Sequence, residues 1–141
     1  LSNCRNLTAE AFKHLTAAFF PHLEKLDLYE CNIASLANLP ESLKELSLSN
    51  CRNLTAEAFE QLTAAFFPHL EKLYLSGSNI ASLKNLPKSL KELSLSNCRN
   101  LTAKAFEQLT DESFPHLEKL DLTGTLGSEK LPPKLKELVS G

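Results

Sequence analysis

The sequence predicts an α/β solenoid, with a parallel sheet on one side and alternating helical and short irregular crossovers on the other. Three observations point to it. Leu1 to Ala9 returns as Leu48 to Ala56 and again as Leu95 to Ala103, a period of 47 residues; such long-range self-similarity marks units that stack on their neighbours rather than wrap around one pocket. The pattern Leu-x-x-Leu-x-Leu starts at Leu23, Leu43, Leu70, Leu90 and Leu117, with an incomplete copy at Leu135-Lys136-Glu137-Leu138. Those starting leucines lie 20, 27, 20, 27 and 18 residues apart, too far for hairpins, so successive strands run parallel with a crossover between them.

Each element has a local reason. Leu26 with Leu28, or Leu73 with Leu75, is the period-2 signature of a short strand with one face buried. The longer crossover, Thr8 to Phe19, reads as a helix: Thr8 suits the N-cap, Glu10 sits in the first turn where the helix dipole favours it, and Phe12, Leu15 and Phe19 form one stripe. Pro21, Pro68 and Pro115 are expected to stop such helices before the next strand. The shorter crossover, Asn32 to Pro40, places Ile33, Leu36 and Leu39 three apart, which suits a tight turn or an extended segment better than a helix. Bulky and thin crossovers therefore alternate.

Composition narrows the function classes. The chain has 141 residues, enough for one domain, with plentiful Leu and eight Phe for a continuous core. Lys and Arg number 15 against 17 Asp and Glu, mixed along the chain, so the basic stripe expected of a nucleic-acid binder is missing and no nucleic-acid partner is predicted. Leu15 to Pro21 falls far short of the roughly 20 apolar residues that span a bilayer, so no membrane partner is predicted either. Cys4, Cys31, Cys51 and Cys98 would permit two disulfides by number. Three of them hold the same repeat position, which favours reduced thiols packed as small hydrophobes, and with them a cytoplasmic or host-cell cytosolic location.

These residues resemble leucine-rich repeats, whose hallmark is Leu-x-x-Leu-x-Leu-x-x-Asn-x-Leu. Leu23 to Ile33 reads Leu-Glu-Lys-Leu-Asp-Leu-Tyr-Glu-Cys-Asn-Ile. The long units resemble the cysteine-containing class of that family. The short units, with Leu39-Pro40-Glu41-Ser42-Leu43 and Leu86-Pro87-Lys88-Ser89-Leu90, resemble the Leu-Pro-x-x-Leu-x-x-Leu repeats of bacterial effector proteins. The resemblance implies a leucine-rich repeat arc with the sheet on its concave side, a noncatalytic protein-interaction module, and another protein as partner. Where the family has Asn, this chain has the ladder Cys4, Cys31, Cys51, Ser78, Cys98 and Thr125, all small and able to hydrogen-bond in a crowded interior.

The first copy (1–47) differs from the second (48–94) at positions 13, 14, 27, 29, 30, 31, 37 and 41. Change thus concentrates in solvent, on the open sheet face, or at the turn after the strand. On the open face Lys25, Glu45, Lys72, Glu92, Lys119 and Glu137 alternate in charge, and the next column is Asp27, Ser47, Tyr74, Ser94, Asp121 and Val139. Tyr29 leads the column beyond. Aromatic rings with a polar end are favoured contact residues, so a binding patch is expected around Tyr29 and Tyr74 with Asp27, Glu30, Lys72 and Asp121.

Chemistry finds little support. His22, His69 and His116 recur in Phe-Pro-His-Leu, but alternate units lie two strand steps apart, about 9.6 Å, while a shared zinc needs its ligands at about 2.0–2.3 Å. Asp27 and Asp121, four steps apart or about 19 Å, exceed the roughly 5–9.5 Å of paired glycosidase carboxylates. Gly124-Thr125-Leu126-Gly127 matches no nucleotide fingerprint. Neither catalysis, a metal nor a cofactor is predicted. Neither end reads as a finished cap, so 1–141 is expected to be a single domain within a longer array, or one that self-associates end to end. The near-identical units fit a designed or consensus scaffold as well as a recently expanded natural array.

Overall fold

A computed structural model describes residues 6, 8–125 and 131–140. The elements run α1 (Ala9–Phe12), β1 (Lys25–Asp27), β2 (Glu45–Ser47), α2 (Ala56–Glu60), β3 (Lys72–Tyr74), β4 (Glu92–Ser94), α3 (Ala103–Phe106), β5 (Lys119–Asp121), α4 (Pro133–Lys136) and β6 (Val139–Ser140). The strands form one six-stranded sheet in sequence order, every neighbouring pair parallel. Leu26, Leu46, Leu73, Leu93 and Leu120 stand in register, buried on a shared wall. Behind them Leu28, Leu48, Leu75, Leu95 and Leu122 form a second buried column.

Rungs are also joined where strands begin. The Glu24 carbonyl accepts from the amides of Lys44 and Glu45 at 2.8 and 2.9 Å, and the carbonyls of Lys44, Glu71 and Lys91 repeat this with the following rung. The short crossover packs without a helix, with Ile33, Leu36 and Leu39 all buried, as their spacing predicts.

The long crossover departs from expectation. Its helices span four or five residues and end before the leucine that follows. A second turn then starts at the threonine, where the Thr16, Thr63 and Thr110 carbonyls accept from the amides of Phe20, Phe67 and Phe114 at 2.8–3.0 Å. A helix of twelve residues would rise about 18 Å, against about 10 Å for a three-residue strand; the crossover must return over the height of that strand, so the helix breaks in two. The break moves the buried aromatic by one residue. Phe12 and Leu15 are buried as predicted, but Phe19 is 64% exposed, and the core instead takes Phe67 and Phe114. The prolines therefore follow an already broken helix. Thr55 caps α2 through its hydroxyl, which accepts from the Ala58 amide at 3.3 Å; Thr8 and Thr102 are extended but make no such bond.

The last strand corrects a second expectation. Repeat alignment opposes Asp121 to Val139, yet in the structure Leu120 faces Val139 and Asp121 faces Ser140, a slip of one residue. The final crossover is two residues shorter, Pro132-Pro133 starts α4, and its C-cap Glu137 keeps helical backbone angles (φ −66°, ψ −22°) at the position where the other rungs begin their strands. Glu137 does not continue the alternating column.

Candidate functional surface

The open face of the sheet is built by strand alternation, leucine inward and polar residue outward. The expected charge column exists in register from Lys25 to Lys119. Lys25 pairs with Glu45 at 3.2 Å, while Glu92 takes both Lys72 at 3.5 Å and Lys119 at 3.3 Å. One position earlier runs a second column of opposite phase, in which Glu24 pairs with Lys44 at 2.8 Å and Glu71 with Lys91 at 3.3 Å. The bond from Lys44 holds the Glu24 carboxyl below its usual range. Exposed pairs of this kind are each worth about 0–1 kcal/mol.

Tyr74 is the best-anchored aromatic on this face. Its hydroxyl donates to Glu92 Oε2 at 2.9 Å. Burial first, then the hydrogen bond to Glu92 and the negative charges of Glu92 and Glu45, push its pKa up to about 12. For Glu92, burial raises the pKa, but the bonds from Tyr74 and Lys119 and the charges of Lys119 and Lys72 outweigh it and hold the carboxyl below its usual range. Glu92 is therefore the hub of the patch, only 19% exposed at its side chain. It was legible only as one more member of an alternating row.

The other expected residues do not form one cluster with it. Tyr29 lies in the adjacent column, two rungs from Tyr74, with its amide donating to Asp27 Oδ1 at 2.9 Å. Asp121 is two rungs beyond Tyr74 on the far side, where its Oδ1 accepts from the Thr123 amide at 3.0 Å and hydroxyl at 2.7 Å. Burial raises its pKa, and these bonds with those from Ser94 and Ser96 outweigh it, keeping the carboxyl below its usual range. Both aspartates thus brace the turn after their strand. Serines link the columns: Ser96 bonds Ser76 at 2.8 Å, Ser76 bonds Ser94 at 2.9 Å, and Ser94 reaches Asp121 at 3.3 Å. Glu30 lies off the strand, in a left-handed turn at φ 55°.

That turn is itself a column. Glu30, Asn50, Gly77, Asn97 and Gly124 all have φ between 55° and 69°, where Gly is strain-free and Asn is tolerated. Next to it stands the buried ladder, whose first member, Cys4, lies outside the described residues. Cys51 Sγ donates to the Leu28 carbonyl at 2.9 Å, Cys98 Sγ to Leu75 at 3.1 Å, and Thr125 Oγ1 to Leu95 at 2.6 Å. Burial pushes the Cys51 thiol up to about 11 and raises that of Cys98, which keeps each proton available for donation. Cys31, Cys51 and Cys98 are free thiols. Sequence reading missed one further tie, between crossovers: Gln61 Oε1 accepts from the Leu36 amide at 2.7 Å, and Gln108 from Leu83 at 2.6 Å.

Among the described residues no group of three or more His, Cys, Asp or Glu is placed to hold a metal ion, and no helix is long and apolar enough to cross a membrane. The architecture defines a class, a parallel repeat solenoid presenting one continuous open face. The leucine-rich repeat model matches residues 42–62, and the same leucines recur in register along the sheet, so the architecture is that of a leucine-rich repeat solenoid. No curated protein and no solved structure matches it. The leucine-rich repeat is in general a noncatalytic interaction fold.

Proposed function

We propose that this chain is a noncatalytic module that binds another protein through its open, concave sheet face. The observation that carries the reading is the half-buried Tyr74 on the open face, fixed to Glu92 between Lys72 and Lys119. A ring held this way adds contact area at little further entropic cost. Tyr29, Asp27, Glu30 and Asp121 supply the remainder of the contact surface. Buried free thiols suit a reducing compartment, such as the cytosol of its own cell or of a host.

Photo-cross-linkers at Ser47 on the face and at Glu57 on the opposite side test this reading. Partner adducts are expected from position 47 alone, with capture weakened at least about tenfold in the Tyr29→Ala/Tyr74→Ala variant. Undiminished capture by a folded double variant overturns it.

A second reading, a scaffold that stacks end to end, is favoured by one feature. Phe20 is 44% exposed, whereas Phe67 and Phe114, its counterparts in later units, are 1% and 2% exposed. A cross-linker at Phe19 that joins copies of the chain, independently of the tyrosines, supports this reading instead.

A further inference from the structure

We propose that the rim of the solenoid, just past the carboxyl ends of the strands, holds a second binding site: a slot between Arg52 and Arg99 that takes the carboxylates of an acidic peptide segment. The slot is a depression of about 420 Å³ lined by Asn50, Arg52, Gly77, Ser78, Asn79, Asn97 and Arg99. No acidic side chain lines it. Both arginines are exposed, and among the described residues no ion pair involves either. Their rungs stand two strand steps apart, about 9.6 Å, so two long guanidinium side chains can converge on one group between them. A planar fork of donors matches a carboxylate in bidentate fashion.

Gly77 lets the Asn50 side chain form part of the slot wall. It occupies the left-handed turn position of the intervening short unit, with φ 67°, and a Cβ there would fall 2.1 Å from Asn50 Oδ1. The glycine therefore makes room for the Asn50 side chain, and its own position contributes only backbone to the slot. In the first copy the same position is Glu30, which lines the adjoining depression with Arg52 and Asn32. Copy one thus places its own carboxylate beside the arginine at this level of the rim, while copy two supplies none there and leaves its arginines to a carboxylate from elsewhere. The arginine positions also fit this role: Arg5, Arg52 and Arg99 are all the arginines in the sequence, and all share one repeat position. Other basic positions are Lys.

This site is separate from the sheet face, and its test leaves the tyrosines untouched. Anisotropy of a labelled hexaglutamate peptide at low ionic strength is measured with the full chain, an Arg52→Gln/Arg99→Gln variant, and a Lys84→Gln/Lys88→Gln control that removes the same charge from two exposed lysines elsewhere. The arginine variant is expected to weaken binding at least about tenfold and the lysine control less than about twofold. Equal loss in both variants means diffuse attraction only and overturns the site, as does the absence of binding to the full chain. A phosphoserine peptide of equal charge serves as the second probe; binding of that peptide alone would refute the carboxylate assignment.

Discussion

Leu73 and Lys72 are neighbours in β3, and each belongs to a column repeated along the sheet, yet the two columns hold the molecule together to very different degrees. The leucine column is dry: Leu46, Leu73 and Leu120 are fully buried, and each touches the rungs on either side. The lysine–glutamate columns satisfy one another in solvent, with Nζ–O distances of 2.8–3.5 Å. Regularity in a repeat therefore does not measure energy. The interior repeats because any change leaves a hole, the exterior because charge alternation favours one register.

Truncation within β3 should expose the contrast most strongly. Leu73→Ala removes a central, fully buried side chain from a wall that cannot collapse locally, since its neighbours are fixed in register on both sides. The expected loss is about 3 kcal/mol. Lys72→Ala next to it should cost less than about 0.5 kcal/mol. Urea titrations of the two variants measure both; comparable losses would mean that the sheet face, not the wall, holds the rungs.

The hydrogen-bonded ladder lies between these extremes. Thr125 Oγ1 donates to the Leu95 carbonyl at 2.6 Å and accepts from the Cys98 amide at 3.0 Å, both in the interior. Thr125→Val keeps the volume but leaves the Cys98 amide and the Leu95 carbonyl only their own 3.3 Å bond to one another, so about 1 kcal/mol should be lost. Hydrogen exchange at the Cys98 amide is the local readout, and it should accelerate in the variant. Unchanged protection would show that the ladder is only packed, not bonded.

These two levels also mark how far the sequence could be read. The strands, their parallel order and the register from Lys25 to Lys119 were legible, because period-2 leucines and an internal repeat fix them without reference to anything distant. The ladder was legible as a column of small residues. The helix break after Phe12 was not, since Phe12, Leu15 and Phe19 satisfy helical spacing and only the height of the returning strand forbids a longer helix. The slip in β6 depends on Glu137, the C-cap of α4, staying helical where alignment begins a strand. Of the candidate patch, Tyr74 and Lys72 meet at Glu92, whereas Tyr29, Asp27 and Asp121 lie on other rungs and Glu30 in a turn. Columns of a repeat are visible in a sequence, but which members of neighbouring columns bond to one another is not. Gln61 and Glu92 acquire their partners only once the rungs are stacked.

The finest distinction concerns the exterior itself, where Glu92 differs from the other charges by having a tyrosine bonded to it. In a Tyr29→Phe background Tyr74 is the sole tyrosine, and its ionisation can be followed by tyrosinate absorbance. The midpoint should lie near 12, against about 10 for a free side chain. Glu92→Gln should lower it only in part, since burial ranks ahead of Glu92 among the causes. The folded hydroxyl holds its proton more tightly than the unfolded one, so its stabilising contribution is complete below about pH 10 and is lost as pH rises towards 12. Glu92 has the opposite sign: its folded carboxyl is below the usual range, so its contribution is present above about pH 4.3 and disappears as pH falls through the folded value. Melting temperatures of the parent and Glu92→Gln proteins should therefore separate at neutral pH and converge at both acid and alkaline ends. Ionisation of Tyr74 at the ordinary value would mean that the Tyr74–Glu92 bond is not held in solution, and the one anchored aromatic of the open face would then be as loose as the lysines around it.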